Sequence, residues 1–182
     1  PLQAVFTRSV SDPDWGMKLT GKEGPNAIGV FSARDATTKL LIPANQGSRQ
    51  TELEQSADNA VLRYRRDLGA SSNAGVLYTG RRGDGYENHV VGVDLFHRIT
   101  PSNTLRLQYL GSNTEYPDEL AQAFDQPRSR FGGIGFFGEL AHTSRNWLAS
   151  GRYSTLTPDF RADGGFIPRV DTRIIEGQAG RI

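Results

Sequence analysis

Cysteine is absent from the 182 residues, which excludes disulfides and thiolate metal sites. No apolar run approaches the ~20 residues of a transmembrane helix, and the mean hydropathy is −0.50. Neither fact bears on a β-barrel, in which only alternate residues face lipid. Charge of one sign is lacking too. The 21 basic and 20 acidic residues leave a net charge of +1, so bulk charge gives no case for nucleic-acid binding. Recognisable catalytic spacing is equally scarce. His89, His97 and His142 show no HExxH arrangement, and no GxSxG elbow occurs.

What the chain has in abundance is alternation. Glu87–Ser112 places Val91, Val93 and Leu95 on one face of a strand and Gly92, Asp94 and Phe96 on the other. After a Thr-Pro-Ser-Asn turn, Leu105, Leu107 and Tyr109 share a face opposite Thr104, Arg106 and Gln108. This hairpin has one apolar and one polar face. A membrane barrel with a wet lumen and a soluble sandwich with a wet exterior both show that pattern.

Further runs predict an all-β, antiparallel up-and-down meander of about ten strands over residues 1–182. Strands are expected at Leu2–Val10, Gly16–Lys22, Ala27–Arg34, Ala60–Asp67, Ala74–Arg81, the hairpin above, Arg130–Ala141, Asn146–Thr155 and Thr172–Ile182. Polar loops are expected at Asp35–Asn59, Asn113–Ser129 and Leu156–Asp171, with an intermediate connection at Gly83-Asp84-Gly85. The expected connections alternate: Glu23–Asn26, Leu68–Asn73, Thr100–Asn103 and His142–Arg145 are short, and those between them are longer. Short turns at one end and long loops at the other point to a segment of an outer-membrane barrel. Strands at both ends of the sequence read as cut from inside a longer sheet.

Trp15, Tyr64, Tyr78, Tyr86, Tyr109, Tyr116, Trp147 and Tyr153 fall near strand ends, as an aromatic girdle requires, although aromatics are common in any strand. Arg63, Arg65, Asp94, Arg106 and Arg152 are candidates to line a polar lumen. Pro158–Arg169 carries Phe160, Phe166, Ile167 and Pro168, more apolar surface than an exposed loop needs. It is expected to fold inward and narrow the mouth, with Asp159, Asp163 and Arg169 pairing their charges. Gly133–Gly138 spells GxGxxG inside a strand rather than ahead of a helix, so the glycines read as relief of crowding. Arg82-Gly83-Asp84 and Asp12-Pro13-Asp14 read as turns rather than an adhesive tripeptide or a Ca²⁺ loop. No catalytic, metal or cofactor residue is nominated.

Trp15–Lys22, Arg63–Gly69, Ser71–Gly75, Pro158–Phe160 and Gly165–Arg169, in this order, resemble domain of unknown function 5916. That resemblance runs along essentially the whole chain. It implies a Gram-negative outer-membrane barrel whose partner is the lipid bilayer. In that family a family-9-like carbohydrate-binding module commonly precedes the barrel; such a module is not in this sequence, so contact with carbohydrate would run through it. The function expected is surface handling or uptake of a glycan or similar polymer. The alternative is a soluble β-sandwich binding carbohydrate or another ligand, with a hydrolase more distant.

Overall fold

A computed structural model describes residues 1–5 and 12–182. Nine strands form one antiparallel sheet in sequence order. They are β1 (Pro13–Glu23), β2 (Asn26–Asp35), β5 (Ala57–Leu68), β6 (Ser72–Gly83), β7 (Tyr86–Thr100), β8 (Asn103–Glu115), β9 (Phe131–Thr143), β10 (Trp147–Leu156) and β11 (Thr172–Arg181). Between β2 and β5 a separate hairpin is built from β3 (Thr38–Pro43) and β4 (Ser48–Leu53). One short helix, α1 (Asp118–Ala123), lies between β8 and β9. The all-β up-and-down meander is as the alternation predicts.

The turns at one end are tight because their residues allow it. Gly24 takes φ 52° in the β1–β2 turn, and Pro101-Ser102 joins β7 to β8. The other end carries the β3–β4 hairpin, α1 and the segment 157–171. One exception stands there: β6 and β7 are joined by Asp84-Gly85 alone, with Gly85 at φ 60°, a tighter turn than expected.

Three other expectations need correction. Residues 1–5 are not in a strand, and the remainder of the predicted strand Leu2–Val10 falls on residues outside the described set. Asp35–Asn59 is not a loop; its Leu40-Leu41-Ile42 run forms β3, and Ser48–Leu53 pairs with it. Asn113–Ser129 begins as strand and then contains α1. Eleven strands occur among the described residues, nine of them in the main sheet, in line with the expected number of about ten.

Register assigns the faces. Val93 pairs with Tyr109 and Leu95 with Leu107, whereas Asp94 pairs with Gln108 and Phe96 with Arg106. The predicted partition of this hairpin is therefore correct. Carried across the sheet, one face holds the row Leu19, Val30, Leu62, Tyr78, Val91, Gly111 and Ile134. The opposite face holds Ala33, Asn59, Arg81, Asn88, Thr114 and Phe131. We call this second face inner, because residues 1–5 and the segment 157–171 pack on it. The main core is made there: Ala4, Val90, Leu110, Leu156, Phe160, Ala162, Ile167 and Val170. A second cluster sits at the loop end, where Leu40, Ile42, Tyr86, Tyr116, Leu120 and Ala121 join the β3–β4 hairpin and α1 to the sheet.

Candidate functional site

The inner face divides along its strands into two halves. At the loop end the segment 157–171 lies over the sheet, and Phe160 at its centre is wholly buried. Burying such a side chain stabilises by about 1.5–3 kcal/mol. The sheet makes room with glycine. A side chain at Gly133 would run into the backbone of Asp159 and Phe160, and one at Gly135 would come within 2.8 Å of Leu2 and 2.9 Å of Leu156. The GxGxxG letters thus mark where a folded-in segment meets the wall.

Polar groups fasten the segment. Asp163 accepts a hydrogen bond from the Tyr86 hydroxyl at 2.8 Å and from the Tyr116 hydroxyl at 3.1 Å. The two rings stack, 6.0 Å between centroids and 3° from parallel. The backbone of Asp163 is held at both ends: its N–H donates to Asn88, and its carbonyl accepts from Arg81 at 3.1 Å. Arg81 also donates to the Lys39 carbonyl at 2.9 Å and lies 3.9 Å from the Asp35 carboxylate. Arg161 donates to Gln126 and to the carbonyls of Pro158 and Phe160, and stands over the Phe131 ring. Burial raises the pKa of Asp163 above the usual carboxylate value; the two hydroxyls and Arg81 oppose that shift without cancelling it. Desolvation likewise pushes the Tyr116 phenol well above its ordinary value. Most of these bonds run between the segment and the wall or along the segment itself, and Arg81 also ties the wall to Lys39 and Asp35, so the cluster works as a clamp.

Toward the short-turn end the inner face is open. A row of alternating charge crosses four strands: Arg106 on β8, Glu139 on β9, Arg152 on β10 and Glu176 on β11. Arg152 lies 3.0 Å from both carboxylates and Arg106 3.6 Å from Glu139. Arg63 grips Asp94 through both guanidinium nitrogens. A cavity of about 580 Å³ opens above them, lined also by Leu2, Phe96, Gln108 and Phe137.

The predicted lumen residues are therefore placed as follows. Arg63 and Asp94 form one pair, and Arg106 and Arg152 converge on Glu139. Arg65 shares the inner row of Asp94 but, among the described residues, pairs only with Asp67, at 3.6 Å near the short-turn end. Phe160 folds inward as expected, whereas Phe166 remains 46% exposed because its side chain lies at the rim of the segment. The expected charge pairing is also revised. Asp163 is bound by tyrosines, Asp159 is exposed, and Arg169 forms no ion pair among the described residues; it meets Ala44 through a backbone bridge. Two members of the supposed girdle, Tyr86 and Tyr116, are inside the molecule. The sequence reading missed Arg81, Asp35 and Arg161. For Arg81 a signal existed, since it continues the parity of Leu77 and Thr79.

Compared with family models, with curated proteins and with solved structures, the chain finds no match.

Proposed function

We propose that this chain is part of a bacterial outer-membrane β-barrel that handles or takes up a glycan or similar polymer at the cell surface. One observation carries the membrane part: the outer face is a continuous apolar band left open. Met17, Leu19, Ile28, Leu62, Val76, Val91, Val93, Tyr109 and Ile134 all face away from the core, and Leu19 is 66% exposed. A contiguous band of this kind marks a membrane or protein contact. Toward the loop end the band stops at a charged row, in which Arg34 pairs with Asp58, Arg82 with Glu87, and Arg130 with Glu87 and Glu115. That succession, apolar and then charged, matches passage from hydrocarbon to headgroups. A soluble sandwich would lay a second sheet on the band, and the only other sheet among the described residues is the β3–β4 hairpin. The glycan part rests on the family resemblance alone.

The test is fractionation of a Gram-negative host expressing the protein. Recovery in the outer membrane, with mobility that changes on heating before electrophoresis, supports the reading. Recovery as a soluble species without detergent overturns it. Val91→Arg sharpens the result: at mid-membrane depth it costs about 2–4 kcal/mol, while on a wetted surface the change is close to neutral. For the glycan, cells deprived of the protein should lose uptake or surface retention of a labelled polysaccharide.

A further inference from the structure

Residues 1–5 lie outside any strand, with Leu2 and Ala4 turned onto the core and Pro1 and Gln3 exposed, and they are held by contacts that read a peptide backbone. The Gln108 side chain takes both main-chain groups of Leu2: Leu2 N–H donates to Oε1 at 2.7 Å, and Nε2 donates to the Leu2 carbonyl at 3.2 Å. From the other side, the Phe166 N–H donates to the Gln3 carbonyl at 2.9 Å. Gly165 lets the two backbones touch, because a side chain there would strike Gln3 and Ala4. Apolar specificity is set at two points. Leu2 packs on the core beside Leu156 and Phe160, in the space left by Gly135, and Ala4 is 3% exposed within the core itself. Main-chain hydrogen bonds combined with pockets for particular side chains are how extended peptides are recognised.

The stretch is also a partition. The cavity of about 580 Å³ lies on one side of Pro1, Leu2 and Gln3. A second cavity, of about 620 Å³, lies on the other side of the same three residues, under Phe166, Pro168 and Ile174.

We infer that the inner face carries a binding groove for an extended peptide with a leucine-sized side chain and a small residue two positions later. Residues 1–5 fill that groove in cis. Their departure joins the two cavities into one passage along the inner face. The groove needs only the folded inner face, so the inference stands apart from the membrane and glycan readings and is tested in detergent or in buffer alike.

The experiment weakens the cis occupant and supplies a rival. The chain carrying Leu2→Asp is titrated with a peptide of the same sequence, Pro-Leu-Gln-Ala-Val-amide with fluorescein on its N-terminus, and polarisation is read. Saturable binding is expected, at least tenfold tighter than to the unaltered chain, whose groove is filled. Gln108→Leu added to Leu2→Asp removes two hydrogen bonds and should weaken binding about tenfold. A peptide with Asp in place of Leu should fail to bind. Absence of binding to the Leu2→Asp chain, or binding indifferent to Gln108→Leu and to the altered peptide, overturns the inference. Should Leu2→Asp lose the native far-ultraviolet spectrum, Ala4→Asp in the otherwise unaltered chain serves instead. It puts a charge into the buried seat of Ala4 while leaving the wall intact, and the same outcomes decide.

Discussion

The two halves of the inner face are made by the same strands with the same pleat, yet one is dry and the other wet. Arg81 is 2% exposed, held by carbonyls and facing Asp35. Arg106, further along the same face on β8, has half its side chain in solvent. The difference lies in the cover, since only the loop end has the segment 157–171 laid across it. Strand alternation therefore decides which way a side chain points, and the connection laid over it decides what that direction is worth. A charge under the segment is costly to strand without a partner, whereas one in the open ladder is screened and replaceable.

That contrast can be broken most forcefully at Phe160. Phe160→Ala should destabilise the protein by about 3–5 kcal/mol, measured by denaturant unfolding, and should free the segment to protease. Phe166→Ala, at the half-exposed rim, should do far less, so equal effects would dissolve the distinction between a buried centre and a loose edge. Next comes Gly133→Ala, which adds one methyl against the backbone of Phe160 and should cost about 1–3 kcal/mol by overpacking. The same change at Gly151, where nothing lies within 4 Å, is the control and should be neutral.

A pH series sharpens the comparison further. Asp163 has its folded pKa raised, chiefly by burial. The folded state thus holds this proton more tightly than the unfolded chain does. Its stabilising contribution is complete below the unfolded value near 3.8 and is lost as pH rises through the higher folded value. Stability of the unaltered protein minus that of Asp163→Asn should accordingly fall with rising pH across that window. A difference that climbs instead would mean the tyrosines and Arg81 outweigh burial. The smallest effect is expected at Arg152→Met in the open ladder: a melting shift close to the error of measurement, shrinking as salt is added.

Much of this architecture is legible in the residues, for a physical reason. Period-two alternation fixes facing, so the hairpin of β7 and β8 could be registered from Val91, Asp94, Arg106 and Tyr109 alone. The apolar content of Pro158–Arg169 likewise announced a segment that folds in. Burial is another matter. Tyr86 and Tyr116 look the same in sequence as Tyr64 and Tyr109, because an aromatic in or beside a strand carries no local mark of which face will be covered. Arg81 reads as an ordinary strand charge and Asp35 as the first residue of a polar loop until β3 and the segment 157–171 close over them. The β3–β4 hairpin was hidden by its polar second strand, Ser48–Leu53, whose Ser, Arg, Gln, Thr and Glu show no apolar alternation.

The up-and-down order also has a consequence in time. Each strand of the sheet bonds to the strand beside it in the main-sheet sequence, and five of the links are short turns. Such hairpins close quickly, because little chain entropy is lost before the first bonds form. The bond between Leu2 and Gln108 spans 106 positions, and its seat does not exist until β8, β9 and β10 have assembled. The wall must therefore zip up first and the interior fill afterwards, with β-structure reaching its final amplitude before Phe160 becomes inaccessible to solvent.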